Sequence, residues 1–295
     1  MPSQLRVLQG FRVLSLALNL PGPAALMRCR RMGATCAKLE PPAGDPMGHY
    51  NPTAYAQLHE GVRVVQADLK SAAGQAILHR ELARTDVLLT SFRPSALAKL
   101  GLGWKDLHTR YPQLSQVAIV GAAGARAEEP GHDLTYLADN GLVGGLELPA
   151  TLYADMSGSL LASEAVLQAA LVRNERYGGS GENHPQGALF EVALADAAHY
   201  LSLPRQWGLT TADGAVGGAH AGYAVYPCSD GRVAVAALEP HFAAALCRVA
   251  GVAAPDPAMR SPATRAAIAS YFAGRTRDEI ERVAREHDLP LHCMA

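Results

Sequence analysis

Three ionisable side chains stand where an α/β fold places reactive groups. His132 follows a glycine in a loop just past an apolar, strand-like segment, Asp155 stands at the start of a long helical segment, and Glu239 lies between a strand and a helix. Imidazole and carboxyl groups are the usual general acids and bases of enzymes. Taken singly, His132 also fits an ordinary surface histidine, and either carboxylate also fits an acid that complements the amino terminus of a helix.

The elements around these residues alternate between strand and helix. Short apolar segments predict strands at residues 12–18, 35–39, 62–65, 86–90 and 116–120. Helices are predicted at 24–32, at 71–83 with Ser71 as the cap, and at 158–177. This alternation is typical of parallel strands joined by helices. We therefore predict an α/β protein with a Rossmann-like sheet, and open α/β sheets bind ligands beyond the carboxyl ends of their strands, where His132 lies.

A second, smaller unit is predicted after the large one. The polar residues 178–185 indicate an exposed loop or a boundary, and we assign 1–200 to a large Rossmann-like domain and 201–295 to a small α+β domain. Within the small domain, segments 223–226 and 232–236 flank Ser229, Asp230 and Gly231, which predicts a β-hairpin. Two or three short helices are expected to close the chain.

Composition excludes several classes of protein. The 295 residues contain 26 Lys and Arg against 27 Asp and Glu, which gives no basic surface of the kind that binds nucleic acid or anionic membranes. No apolar run reaches the roughly 18 to 20 residues that a membrane span needs. Five scattered cysteines without a CxxC pair favour a reduced, cytoplasmic setting. A GxxxxGK[ST] phosphate loop is also absent.

An ordered series of motifs resembles the family III CoA-transferases, the CaiB/BaiF family. It runs through residues 11–16, 21–23, 32–34, 38–46, 68–71, 91–94, 100–102, 130–136 and 154–155. Within the family, Gly131-His132-Asp133 and Glu239-Pro240-His241-Phe242 resemble motifs of the α-methylacyl-CoA racemases. Leu20 stands where the transferases carry a glutamine before the first Gly-Pro turn.

The resemblance implies an acyl-CoA substrate and a role for each candidate residue. His132 and Asp155 would be base and acid on opposite faces of the α carbon, and Glu239 would orient the imidazole. Backbone amides at the helix start beside Asp155 would stabilise the enolate oxygen. Family positions that bind coenzyme A correspond to Lys38, Lys70, Arg93, Lys99 and Leu100. Coenzyme A enters as part of the substrate, and no metal or redox cofactor is expected.

Two other interpretations stay open. In a CoA-transferase, Asp155 would be a nucleophile that forms an anhydride and then a thioester with coenzyme A. A non-catalytic acyl-CoA binder is the third. The family's glycine-rich run after the aspartate is here Met156-Ser157-Gly158-Ser159, which predicts either a narrower pocket or a change in the acyl group that fits. The resemblance implies an intertwined homodimer, although the family's C-terminal segment that returns to the large domain has no counterpart in this sequence.

Overall fold

The computed structural model describes residues 5–177, 186–252 and 259–295. These divide into two compact units, Met1–Ser202 and Leu203–Ala295. The polar segment 178–185, predicted as a loop or boundary, lies outside the described residues. No helix among the described residues is both long and apolar enough to cross a membrane. All five cysteines are unpaired thiols.

The first unit is built on a six-stranded parallel sheet. The strands are β1 (Arg12–Ser15), β2 (Thr35–Glu40), β3 (Arg63–Gln66), β4 (Val87–Thr90), β5 (Ser115–Val120) and β6 (Leu189–Ala193), and their order is β3-β2-β1-β4-β5-β6. The strand order reverses between β1 and β4, the position at which open α/β sheets form a ligand crevice. The predicted α/β, Rossmann-like fold is confirmed.

Nine helices of the described residues accompany this sheet. They are α1 (Pro21–Arg31), α2 (Pro46–Tyr50), α3 (Pro52–Leu58), α4 (Ala72–Leu82), α5 (Pro94–Lys99), α6 (Trp104–Arg110), α7 (Asp133–Asp139), α8 (Tyr153–Tyr177) and α9 (Leu194–Gln206), the last crossing the boundary between the units. The predicted cap is present, because the Ser71 hydroxyl accepts the Gly74 amide at 3.0 Å. Helix α1 begins three residues earlier than predicted, at Pro21, since proline is well suited to the first helical position, where no amide donor is needed.

Apolar side chains cover both faces of the sheet. Neighbouring residues of a strand point to opposite faces, so Val13 packs in one buried cluster and Leu14 in the other. The Val13 cluster includes side chains of α1 and α8, and the Leu14 cluster includes side chains of α4, α5 and α6. This two-sided burial is why the strands appear in the sequence as apolar runs without alternation.

The second unit is a small α+β body. Its strands β7 (Tyr223–Cys228), β8 (Gly231–Ala236) and β9 (Leu291–Met294) form an antiparallel sheet, and its helices are α10 (Pro240–Val249), α11 (Pro262–Ala273) and α12 (Arg277–His287). The predicted hairpin is present, with Cys228 paired to Gly231 across the loop Ser229-Asp230. The prediction that helices close the chain was incomplete, because β9 follows them and pairs with β8.

Candidate active site

A cavity of about 700 Å³ opens at the carboxyl edge of the large sheet. Its walls come from the segments after β1, β4 and β5 together with α2, α7 and the start of α8. His132, Asp155 and Arg93 all line it. Chain segments on both sides of the strand-order reversal contribute, so the cavity occupies the position that the topology favours for a ligand.

His132 is held by its own backbone at the entrance to α7. Its amide donates to the Thr135 hydroxyl at 3.1 Å, and that hydroxyl donates to the His132 carbonyl at 2.7 Å. The side chain is exposed. A side chain on Gly131 would place its Cβ 2.5 Å from the hydroxyl of the buried Tyr136, so the glycine before the histidine is required for this packing.

Asp155 lies in the first turn of α8 with its side chain partly buried. Burial is the main cause that raises its pKa from 3.8 to about 6, the negative charge of Asp133 adds to the rise, and His132 opposes it. The group therefore exchanges its proton close to neutral pH. A carboxyl group with this property is suited to proton transfer in either direction.

Helix α8 uses the amides that were predicted to stabilise an enolate. The Asp155 amide donates to Asp133 Oδ1 at 2.9 Å, and the Met156 amide donates to the Leu152 carbonyl at 3.0 Å. Neither amide is therefore free to bind a substrate oxygen. The prediction named no particular donor, and for the other amides of this first turn it stays a prediction.

The two serines that replace family glycines stay within their helix. Ser157 Oγ donates to the Tyr153 carbonyl and Ser159 Oγ to the Met156 carbonyl, both at 2.7 Å. Neither residue lines the cavity, so the predicted narrowing has no support in the structure. A Cβ at Gly158 would lie 2.3 Å from Leu194 Cδ2, so the end of the Leu194 side chain would have to shift to accommodate it.

Lys38 is placed differently from the prediction. Its side chain is 0% exposed, and its ammonium group contacts Asp45, Glu40 Oε1 at 3.1 Å and His59 Nε2 at 2.9 Å. An ammonium group enclosed in this way is not accessible to a coenzyme A phosphate, so the structure argues against the predicted contact. Asp45 also accepts the amides of Met47 and Asn19, which ties this network to the cavity wall.

The Lys38 network also resembles a metal site. Ligand atoms of Glu40, Asp45 and His59 lie within 4.8 Å of one another and all three residues are buried. The Lys38 ammonium already provides the positive charge in their midst. Burial, together with the Lys38 charge, lowers the pKa of His59, and its Nδ1 donates to the Tyr55 carbonyl at 2.7 Å. The Nε2 lone pair therefore faces the ammonium group.

The remaining predicted coenzyme A contacts lie on the surface of the first unit. Arg93 is exposed and lines the cavity, Lys70 and Lys99 are exposed outside it, and Leu100 ends α5 half-buried. Glu128 lies beside this group: hydrogen bonds from Ser95 chiefly, and the charges of Arg93 and Lys99, hold the pKa of its carboxyl below the usual range. These cations stay candidates for phosphate binding.

Glu239 belongs to the second unit. It is exposed and precedes α10 as the capping residue, without a side-chain hydrogen bond to the helix. His241, from the same motif, lies against the Phe242 ring at 3.9 Å between centroids. The predicted action of Glu239 on His132 stays a prediction.

A further cavity of about 790 Å³ lies at the opposite, amino edge of the large sheet. It is lined by arginines, but several of these are already used within the fold. Arg84 pairs with Glu81 at 2.6 Å, Arg173 pairs with Asp86, and Asp86 also accepts the Arg12 amide at 2.7 Å. These contacts fix the starts of β1 and β4, so we assign this charge cluster a structural role.

The sequence of this chain matches a protein family over almost its whole length. The family sequence model of CoA-transferase family III matches residues 8–294. The chain belongs to CoA-transferase family III. It is 32% identical over 219 residues to a probable fatty acyl-CoA transferase of Mycobacterium tuberculosis, a match that covers 66% of this chain and 54% of that protein. The chain thus spans about half the length of that relative.

Family III includes racemases as well as transferases among the relatives of this chain. The α-methylacyl-CoA racemase of Mus musculus is 28% identical over an alignment 295 residues long, gaps included. The alignment covers 92% of this chain and 74% of the racemase. A crystal structure of a hypothetical protein from Mycobacterium tuberculosis superposes with a TM-score of 0.80 at 25% identity, covering 97% of this chain and 83% of that one. The family resemblance is confirmed, and both reactions are represented.

Proposed function

We propose that this family III protein transfers a proton at the α carbon of a 2-methylacyl-CoA, and so acts as a racemase or epimerase. The observation that carries the proposal is that His132 and Asp155 line one cavity while the pKa of Asp155 is raised to about 6. A carboxyl group that exchanges its proton near neutral pH and an imidazole in the same cavity meet the main requirement of α-proton transfer, which is an acid and a base at one site.

In the proposed reaction His132 removes the α hydrogen as a proton and becomes an imidazolium. The C–H electron pair moves into an enolate whose oxygen carries the charge. Asp155, initially protonated, then donates its proton to the opposite face of the α carbon and is left as a carboxylate. The opposite enantiomer reacts with the two roles exchanged, and Glu239 is proposed to orient the imidazole. Nothing beyond the thioester itself is proposed as a cofactor.

The cavity wall supports an acyl-CoA ligand. Apolar side chains that suit an acyl group face the same space as the two ionisable residues: Leu18, Leu20, Met47, Leu134 and Leu152. Arg93 adds a guanidinium group to the lining, and guanidinium groups bind phosphate oxygens well. We propose that Arg93, with Lys70, Lys99 and Leu100 nearby, binds the coenzyme A portion.

CoA transfer is the second candidate, favoured by the similarity to a probable fatty acyl-CoA transferase. Here the ionised Asp155 attacks the thioester carbonyl, the C–S bond breaks, and coenzyme A leaves as the thiolate. The thiolate then attacks the Asp155 carbonyl of the resulting anhydride, which releases the carboxylic acid and leaves an enzyme thioester. This route does not require His132. A protein that binds acyl-CoA without turning it over is the third candidate.

Exchange of the α hydrogen distinguishes the proton-transfer candidate from the other two. The enzyme is incubated in heavy water with a panel of 2-methylacyl-CoA thioesters, and deuterium uptake is read by mass spectrometry. Proton transfer predicts uptake by the wild type and loss of most uptake in both His132→Ala and Asp155→Ala.

Intact-protein mass after incubation with acyl-CoA provides the second readout. A covalent adduct that disappears in Asp155→Ala and persists in His132→Ala supports transfer. Absence of exchange across the panel overturns the racemase proposal. Tight coenzyme A binding with neither exchange nor adduct identifies a binder.

A further inference from the structure

Asp133 connects the helix of the proposed base to the helix of the proposed acid. It is the first residue of α7, it directly follows His132, and its side chain is 5% exposed. Its Oδ1 accepts the amide of Asp155 at 2.9 Å, 22 residues further along the chain. One buried carboxylate therefore closes the amino terminus of α8 from a neighbouring helix.

The same contact brings two carboxyl groups together at the edge of the cavity. A buried negative charge resists the ionisation of a second acid beside it, and Asp133 adds to the rise that burial gives the pKa of Asp155. The other ionisable groups that line this cavity are His132, Tyr50, Tyr136, Arg93 and Glu129. Of these, His132 favours the ionised form of Asp155.

A carboxylate does more here than an uncharged cap. The side chains of Ser, Thr and Asn also accept an amide hydrogen bond at a helix start, and the energetic difference from Asp is small at an ordinary cap. Only Asp adds a full negative charge next to Asp155. The structure therefore separates two effects of Asp133, the hydrogen bond that places α8 and the charge that acts on Asp155.

We propose that Asp133 is a positioning residue for Asp155. Asp133 fixes the first turn of α8 by its hydrogen bond, and its charge keeps the proton of the reaction on Asp155. The inference rests on the proposed function only in assigning that proton to the reaction. In the racemase cycle Asp155 must carry a proton before it can reprotonate the enolate, so its protonated fraction limits one direction of turnover.

The test replaces Asp133 by Asn, which retains an oxygen acceptor and removes the charge. The Asp155 carboxyl is titrated by NMR in protein labelled with ¹³C at aspartate carboxyl carbons, and its signal is identified by its loss in Asp155→Asn. We expect the titration midpoint of Asp155 to fall by about one pH unit in Asp133→Asn, which corresponds to an about tenfold smaller protonated fraction at neutral pH. In the direction of turnover that requires protonated Asp155, the alkaline limb of the exchange profile should also shift to lower pH.

Asp139→Asn is the matched control. Asp139 ends the same helix with its side chain 63% exposed, so its removal takes away one charge without touching α8. We expect the Asp155 midpoint to stay at the wild-type value. If Asp133→Asn does not fold, the measurement is repeated on Asp133→Ser, whose uncharged hydroxyl group can also accept the amide hydrogen bond.

An unchanged Asp155 midpoint in Asp133→Asn or Asp133→Ser overturns the inference, even if the enzyme exchanges α hydrogens. A shifted midpoint in a protein that exchanges no substrate supports the electrostatic role and counts against the proposed function instead. The NMR titration needs no substrate, so the two failures are distinguishable.

Discussion

Asp155 is a carboxyl group whose surroundings favour its protonated form. The unfolded chain has no such surroundings, so the folded protein binds this proton more tightly. With a pKa near 6 in the folded state and 3.8 in the unfolded state, the stabilisation is complete below 3.8 and is lost as the pH rises through 6. Above pH 6 the ionised Asp155 carboxylate lowers the free energy of unfolding.

Replacing Asp155 by Asn should remove this cost. We expect Asp155→Asn to increase the free energy of unfolding at pH 8 by about 1 to 2 kcal/mol, after a reduction for the partial exposure of the group. The gain should shrink as the pH falls toward 4. Urea unfolding at both pH values measures it, with Asp139→Asn as the exposed control, and an equal gain at pH 4 and pH 8 would contradict the assignment.

At the scale of the elements, Lys38 joins β2 to the segments that precede and form α2 and α3. Its ammonium group contacts Asp45 before α2 and His59 after α3. Asp45 accepts the amide of Asn19, which has a φ of 64° and lines the cavity. A buried lysine therefore supports the cavity wall from behind and does not itself line the cavity.

Lys38→Met should consequently act on stability. Removing one partner of a buried ion pair leaves an uncompensated charge and costs about 3 to 5 kcal/mol. Lys70→Met, which changes an exposed lysine at the same edge, should alter stability by no more than about 0.5 kcal/mol. Urea unfolding at pH 7 compares the variants. A stable Lys38→Met protein that has lost coenzyme A affinity would instead restore the predicted phosphate contact.

At the scale of the whole molecule, the first unit leaves large apolar side chains in water. On α8 and α9, Leu160, Leu171 and Tyr200 are 49%, 60% and 69% exposed. Apolar surface of this kind is typical of protein interfaces when it is contiguous. Together with the dimer implied by the family resemblance, it favours assembly with a second copy.

We predict a homodimer, with about twice the chain mass of 31.1 kDa by light scattering after size exclusion. Leu171→Asp and Tyr200→Asp should shift the protein toward the monomer, because a buried charge without a partner is costly at an interface. Asp106→Asn changes an exposed residue of α6, which packs on the opposite face of the sheet from α8; it is the control and should leave the mass unchanged. A monomeric wild type at micromolar concentration would refute the prediction.

The sequence by itself determined the family, five strands of the large sheet, the Ser71 cap and the hairpin of the small unit. The strands, the cap and the hairpin depend on residues close in the chain, where periodicity, proline and glycine act locally, and the family depends on the order of short motifs along the chain. The sixth strand, β6, was missed because it pairs only with β5 at the sheet edge and has an irregular burial pattern. The position of β6 in the sheet depends on the chain returning to β5 after α8.

Only the tertiary structure decided how Lys38 and Asp133 are used. The sequence presents Lys38 as a cation beside a strand end, and its burial follows from carboxylates and a histidine that the loops bring around it. Asp133 is adjacent to His132 in sequence, whereas its partner Asp155 is reached through the packing of α7 on α8. The ionisation of a side chain depends on what surrounds it in three dimensions, and for both residues those surroundings come from other segments of the chain.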